Sequence, residues 1–167
     1  GMITDTSYDA NGTPINIQRG NQDTQFEYDA RGRLTLKDNG RTITRLFYNE
    51  TVNKISKVIR HPVEYPEEAM ISEFEYDSNG NLVTASNSDG ERIHLTYNDE
   101  GQIVRSESED TILTFTYNAM NKPTIIAIEG VGSLSVSYDE YGEITKVESP
   151  EGGHQLALRI TQSFQAL

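Results

Sequence analysis

Side chains that could perform chemistry are few in this sequence, and they do not converge. The three histidines, His61, His94 and His154, lie far apart, and none of them forms a zinc-binding motif with another. Because His94 has the polar parity of a predicted strand, we expect it to be solvated rather than a ligand. Cysteine is absent, which excludes disulfides and thiolate metal sites. We find no nucleophile-elbow or phosphate-loop motif, and therefore predict no enzyme, no cofactor and no metal site.

The 26 acidic residues are numerous enough that some must be neighbours without forming a catalytic pair. Acidic turns such as Asp77-Ser78-Asn79-Gly80 faintly resemble calcium loops. They lack the further oxygen donors and the downstream glutamate that such a site needs, so we expect them to be hairpin turns.

Tyrosine is the residue type with the most regular spacing. Successive tyrosines of the repeat are separated by 20, 20, 28, 21, 20 and 21 residues. In six of the seven cases a motif follows: Asp or Asn, two variable residues, Gly or Asn, one more residue, and then an apolar residue or Pro. A fixed period predicts small units that bury their apolar faces by stacking on their neighbours. The repeat units begin near Tyr8, Tyr28, Tyr48, Tyr76, Tyr97, Tyr117 and Tyr138.

Each unit has the pattern of a β-hairpin. Apolar residues alternate before the tyrosine, as at Phe26 and Tyr28, and again after the turn, as at Leu34 and Leu36. Between them, Asp at the first turn position and Gly at the fourth are typical of a turn closed by a left-handed residue, which gives a hairpin with a bulge. We predict that the structural residues of the repeat are Tyr28, Asp29, Gly32, Tyr76, Asp77, Gly80, Tyr97, Gly101, Tyr117, Asn121, Tyr138, Asp139 and Gly142.

A second, looser turn lies between the tyrosine motifs, as at 38–40, 88–90, 130–132 and 150–153. Two strands and two turns in each period predict a dozen or more strands in one antiparallel meander. Since open sheets of more than about ten strands usually curl or split, we predict an all-β, curved or coiled sheet of about seven hairpins. We treat residues 1–167 as a single domain.

The tyrosines have two possible roles. Exposed on one face of a sheet, they could stack against sugar rings. Alternatively, they pack with Phe26, Phe74, Leu95, Phe115 and Val136, which have the same parity. We favour packing, because those aliphatic and aromatic neighbours must themselves be hidden from water.

The third unit departs from the pattern. No glycine follows Tyr48 in its motif, and the period then lengthens through residues 58–69, which include two prolines. Proline interrupts the hydrogen bonds of a sheet, so we expect a longer loop here. Because loops on rigid scaffolds often carry binding sites, His61 and Tyr65 are candidates for contact with a ligand. A tolerated surface insertion is the simpler interpretation of the segment, and we favour it.

Charge excludes some partners. A net charge of −12, with 14 scattered basic residues, argues against nucleic acid. No apolar run is long enough to span a membrane, and the N-terminus has no signal-peptide pattern.

The phrases Tyr28-Asp29-Ala30-Arg31-Gly32-Arg33-Leu34 and Tyr76-Asp77-Ser78-Asn79-Gly80-Asn81-Leu82 resemble the tyrosine–aspartate (YD) repeat of the Rhs family. That family is similar in repeat design to teneurins and to the shells of insecticidal toxin complexes. The resemblance implies a strip of hairpins which, in long members, spirals into a shell around a C-terminal polypeptide. It further implies a secreted or cell-surface location.

We therefore expect a non-enzymatic scaffold or shell segment of a longer protein. Its partners would be further repeats or an enclosed C-terminal domain of the same polypeptide. The alternative is a module that binds carbohydrate or a cell surface, either on its outer face or at the 58–69 insertion. The apolar residues in 156–167, without a polar cap, add to the expectation that the chain is a fragment.

Overall fold

The computed structural model describes residues 3–149. The predicted turn at 150–153, His154 and the terminal segment 156–167 lie outside the described residues. The described chain is all β apart from one 3-10 turn, Pro66–Glu68, and no helix in it is long and apolar enough to cross a membrane. Its strands are β1 Thr4–Tyr8, β2 Pro14–Arg19, β3 Gln22–Tyr28, β4 Leu34–Asp38, β5 Thr42–Asn49, β6 Lys54–Pro62, β7 Met70–Tyr76, β8 Leu82–Asn87, β9 Arg92–Tyr97, β10 Ile103–Ser108, β11 Ile112–Tyr117, β12 Pro123–Ile128, β13 Gly132–Tyr138 and β14 Ile144–Glu148.

The 14 strands follow one another in the sheet in the order of the chain. This order confirms the predicted antiparallel meander of about seven hairpins; its curling or coiling stays a prediction. The chain divides into two compact units, one of residues 1–80 with 85–90 and one of residues 81–84 with 91–167. Whether the two units behave as a single domain also stays a prediction.

The first unit has only partly buried side chains. In its described ranges no residue is fully buried, and Phe26 and Tyr28 are half-buried. Its hairpin of β5 and β6 is the longest, with eight cross-strand pairs from Thr42↔Pro62 to Asn49↔Lys54. Little apolar surface is therefore removed from water here, so hydrophobic burial contributes less to this unit than a closed core would.

The second unit contains the fully buried residues. Leu113, Phe115 and Ile128 form a cluster in which Leu113 is only 1% exposed, and Ile103, Tyr117, Ile126 and Leu134 pack against it. Leu95 is also buried. The predicted apolar side of the hairpins is confirmed at Leu95 and Phe115, whereas Val136 stays half-buried.

A bulge follows the turn in most hairpins and changes which side the next residues occupy. In the hairpin of β3 and β4, Leu34 lies opposite Tyr28, but Leu36 lies opposite Glu27. Cross-strand partners project from the same face, so Leu36 lies on the Glu27 side of the sheet. The prediction that Leu34 and Leu36 share one apolar face is therefore wrong, because the extra residue in the bulge shifts the alternation by one.

The 58–69 segment is also more regular than predicted. Residues 58–62 belong to β6 and pair with β5, as in Ile43↔His61. Pro62 is the last residue of its strand, so the proline lies at the end of the ladder and does not interrupt it. The loop is therefore confined to residues 63–69, and Pro66–Glu68 form its 3-10 turn.

Candidate functional site

The turn after each tyrosine is closed by the side chain of the Asp or Asn that follows it. Asp29 accepts hydrogen bonds through Oδ1 from the N–H groups of Arg31 (2.9 Å) and Arg33 (3.0 Å). The backbone completes the turn, with Gly32 N–H donating to the Asp29 carbonyl (3.0 Å) and Asp29 N–H to the Arg33 carbonyl (2.9 Å). The same pair of bonds to Oδ1 recurs at Asp9, Asn98, Asn118 and Asp139. Asp and Asn alternate freely because the turn requires their shared carbonyl-type oxygen.

The fourth residue of each turn adopts a left-handed conformation, and we call it the left-handed position. Gly32 has φ +78°, and Asn121 has φ +61° where other repeats have Gly. The prediction that Asn121 substitutes for Gly in the turn is confirmed. In the third repeat, which begins at Tyr48, Asn53 adopts this conformation with φ +57°, one residue later than in the other repeats. Its N–H donates to the Asn49 carbonyl (2.8 Å). Asn is the non-glycine residue best suited to this region, so the third unit keeps the turn without a glycine.

Each tyrosine from the second repeat onward joins its repeat to the preceding one. Tyr117 donates its hydroxyl to the backbone carbonyl of Ile103 at 2.6 Å. Ile103 lies two residues after the left-handed position of the preceding turn, and the acceptor has that same offset in all six cases. The other five bonds, 2.6–2.8 Å long, join Tyr28 to Pro14, Tyr48 to Leu34, Tyr76 to Ile55, Tyr97 to Leu82 and Tyr138 to Pro123.

We call this row of bonds the tyrosine ladder. It explains why the motif requires tyrosine rather than phenylalanine: the half-buried ring needs a partner for its polar tip, and the neighbouring hairpin supplies one. Burial also raises the pKa of Tyr76 and of Tyr117 above the ordinary value, so both hydroxyls keep their protons and donate. The half-buried rings and their bonded hydroxyls favour the packing role over an open platform for a sugar.

A second row of contacts joins the turns themselves. In several repeats the residue after the left-handed position, here called the bridging position, reaches the next turn along the sheet. Lys54 donates through Nζ to the Gly80 carbonyl at 2.7 Å, and Gln102 donates through Nε2 to Asn121 Oδ1 at 2.9 Å. In both cases the acceptor is the left-handed residue of the next turn. The sequence signal for this bridge is a long polar side chain one residue after the left-handed position, a signal that the tyrosine motif by itself does not reveal.

Arg33 makes the most complete of these bridges. Its guanidinium donates to Asp29 Oδ2 (2.7 Å), Glu50 Oε1 (2.8 Å) and Asn53 Oδ1 (2.7 Å). Its Cζ also lies 4.5 Å from the centre of the Tyr48 ring, a cation–π distance. The hydrogen bonds that Arg33 donates to Glu50 and to Asp29 raise the pKa of Arg33. The backbone N–H of Arg33, which donates to Asp29, lowers the pKa of Asp29 against an opposing effect of burial.

The residues predicted for a ligand loop are placed as follows. His61 lies within β6, and its Nδ1 is 2.9 Å from the Pro62 carbonyl. Tyr65 is the residue before the 3-10 turn, its N-cap position, and is 51% exposed. In the described residues no group of three or more His, Asp or Glu side chains could hold a metal ion. His94 is exposed, as expected, and its Nδ1 is 3.2 Å from Thr84 Oγ1. Glycan binding at Tyr65 stays an untested prediction.

Comparisons with known proteins agree with this geometry. The RHS repeat family matches residues 76–111, which include the complete hairpin of β9 and β10. A sequence search of the curated proteins gives no match.

Solved structures with the same fold come from toxin complexes. A crystal structure of TcdB2-TccC3-Cdc42 matches with 12% identity and a TM-score of 0.73, over 84% of this chain and 9% of that chain. One of TcdB2-TccC3 matches with 12% identity and a TM-score of 0.60, over 90% and 11%. The Tc holotoxin pore of Photorhabdus luminescens matches with 14% identity and a TM-score of 0.54, over 90% and 10%. The chain thus spans about a tenth of the length of these relatives. The repeated motif, the hairpins that it builds and the RHS repeat matched at residues 76–111 make the chain similar to the YD-repeat proteins of the Rhs family.

Proposed function

We propose that this chain is a structural segment of a longer YD-repeat polypeptide, where it forms part of a scaffold or an encapsulating shell. The observation that carries the proposal is the tyrosine ladder, in which six consecutive repeats use one side chain for one purpose. A motif devoted to joining each hairpin to its neighbour is what an extensible wall requires.

The polar groups that could suggest catalysis already have structural partners. Asp29 closes its own turn and pairs with Arg33. Arg33 in turn spans two turns. The side chains of a catalytic site converge on one reacting atom, whereas these groups recur from turn to turn along the sheet. We therefore infer a structural rather than a catalytic role.

The partners that fit this role are further repeats or a C-terminal domain of the same polypeptide enclosed by them. The similarity to toxin-complex chains about ten times longer supports this proposal. It also supports a secreted or cell-surface location. The net charge of −12 favours neither nucleic acid nor anionic membranes as a partner.

The size of the native polypeptide tests the proposal. Cells and culture medium are immunoblotted separately with antibody raised against this chain. A band far above 18.7 kDa supports a segment of a larger shell, and its presence in the medium supports secretion. A band near 19 kDa in the absence of any larger species contradicts the proposal, since a chain of this length alone could not enclose another domain. Protease treatment of intact cells separates a surface-exposed species from an internal one.

A further inference from the structure

A cavity of about 460 Å³ lies between the first two tyrosine-motif turns. Its lining includes Asp9 and Thr13 from the first turn, and Tyr28, Ala30 and Gly32 from the second repeat. Thr13 occupies the bridging position of its turn, but its side chain is too short to span to the next turn as Arg33 and Lys54 do. The cavity therefore lies where a longer bridging side chain is found in other repeats.

The neighbouring repeat shows what fills the equivalent space. Each residue around Arg33 corresponds by its place in the motif to a residue of the cavity lining. Asp29 corresponds to Asp9, Tyr48 to Tyr28, Glu50 to Ala30, and Asn53 to Gly32. In that repeat the guanidinium pairs with Asp29 and lies 4.5 Å from the centre of the Tyr48 ring.

The third repeat provides a second example with a different cation. The ammonium of Lys54 lies 5.7 Å from the centre of the Tyr76 ring and donates to the carbonyl of the left-handed residue Gly80. Gly32, with its backbone carbonyl, is the corresponding residue of the cavity. Two repeats of the first compact unit thus place a cation, Arg in one and Lys in the other, near an aromatic ring at this position.

We propose that this cavity binds the guanidinium or ammonium group of an Arg or Lys side chain presented by another polypeptide. The cation lies over the Tyr28 ring, pairs with the Asp9 carboxylate and donates to the Gly32 carbonyl. Asp9 has an oxygen to offer, because Asn11 and Thr13 donate to its Oδ1 and leave Oδ2 for the ligand. Glu27 and Asp29 also line the cavity, and the Asp29 carboxylate is paired with Arg33.

The test uses the full chain and Nα-acetyl-arginine amide, which has the side chain and peptide groups but no terminal charges. Binding is followed by NMR chemical shifts of the Tyr28 ring and the Asp9 amide. Nα-acetyl-citrulline amide, the neutral analogue, is the ligand control. We expect saturable shifts with the arginine compound alone.

Three variants locate the binding. Asp9→Asn keeps the oxygen that closes the turn, as Asn98 and Asn118 do, and should weaken binding about tenfold by removing the charge. Asp38→Asn removes a charge from a turn at the opposite edge, where Asp38 Oδ1 accepts from Gly40 N–H, and should leave binding unchanged. Thr13→Arg should fill the cavity from within and abolish binding.

Several results would overturn the proposal. Shifts that rise linearly without saturating, or equal affinity in the Asp9→Asn and Asp38→Asn variants, would indicate only general attraction to an acidic protein. Binding of ethylguanidinium without binding of the acetylated amide would exclude a side chain of a polypeptide as the ligand. If Thr13→Arg fails to fold, the comparison of the two Asn variants still decides the outcome.

Discussion

Removing the hydroxyl of Tyr117 should measure the contribution of one bond of the tyrosine ladder. Tyr117→Phe deletes the donor to the Ile103 carbonyl, which is 2.6 Å away, and leaves the ring packed against the cluster of Leu113, Phe115 and Ile128. A hydrogen bond of this kind contributes about 0.5–1.5 kcal/mol net. Because the acceptor loses a partner in a partly buried place, we expect a loss of about 1 kcal/mol or slightly more.

Urea unfolding, followed by circular dichroism, measures this loss. With a slope of about 1–3 kcal/mol/M for a protein of this size, the midpoint should fall by roughly 0.3–1 M without a change of slope. Tyr48→Phe makes the corresponding change in the other compact unit, where Tyr48 donates to the Leu34 carbonyl at 2.7 Å. Hydrogen exchange at the amides of each unit assigns the loss if the two units unfold separately.

Tyr8→Phe is the matched control. Tyr8 has the same place in its motif, but it is 60% exposed, and within residues 3–149 its hydroxyl has no hydrogen-bond partner. Its substitution should change the free energy of unfolding by no more than a few tenths of a kcal/mol. Equal changes in the free energy of unfolding for Tyr8→Phe and Tyr117→Phe, or no change for Tyr117→Phe, would show that the tyrosine ladder does not stabilise the fold.

Three further changes test the turns. Gly32→Ala should destabilise by about 1 kcal/mol in urea unfolding, since Gly32 has φ +78° and only the backbone conformation opposes the new methyl group. Asn121→Gly, at φ +61°, relieves backbone strain but removes the acceptor of the Gln102 bridge, so it should destabilise less than Gly32→Ala; the reverse order would contradict the left-handed assignment. Arg33→Met should lower the melting temperature more than Arg31→Met does, because Arg33 makes three side-chain hydrogen bonds whereas Arg31 makes only a half-exposed ion pair. Similar melting temperatures for the two variants would mean that the Arg33 bridge adds no stability. Folding lowers the pKa of Asp29 below 3.8, so the Asp29 charge contributes stability above that pH, and this contribution is lost as the pH falls through the folded value. The difference in unfolding free energy between wild type and Asp29→Asn should therefore shrink below about pH 4. A difference that is constant from about pH 7 to pH 2 would refute the assignment.

The local structure of the hairpins could be predicted from the sequence, because each signal lies within a few residues. Tyr28 through Gly32 contain the end of a strand, the acceptor that closes the turn and the left-handed residue. Asn121 at a glycine position was informative for the same reason. The position of the strands along the chain follows from these turns.

The contacts between repeats could not be predicted in the same way. The bond from Tyr117 to Ile103 joins residues that are 14 apart in the chain. Its acceptor is a backbone carbonyl, which every residue type has, so no residue in the sequence marks the acceptor. The bridge from Arg33 to Asn53 spans 20 residues and depends on the pairing of β4 with β5. The bulge at Thr35 shifts the in-and-out alternation of the side chains that follow it. Strict alternation therefore predicts the wrong face of the sheet for Leu36, although it holds for Phe26 and Tyr28 before the turn.

These contacts also address a problem that single sheets present. A slip of one residue in strand pairing moves every side chain to the other face, and burial normally penalises such a slip. In the first compact unit no described residue is fully buried, so burial alone opposes a slip only weakly there. A slip would, however, remove the Tyr48 hydroxyl from the Leu34 carbonyl and Arg33 from Asn53 together. Directional hydrogen bonds at the tyrosine-motif turns thus specify a register that half-buried apolar side chains alone would not specify. This explains why the motif is concentrated at the turns.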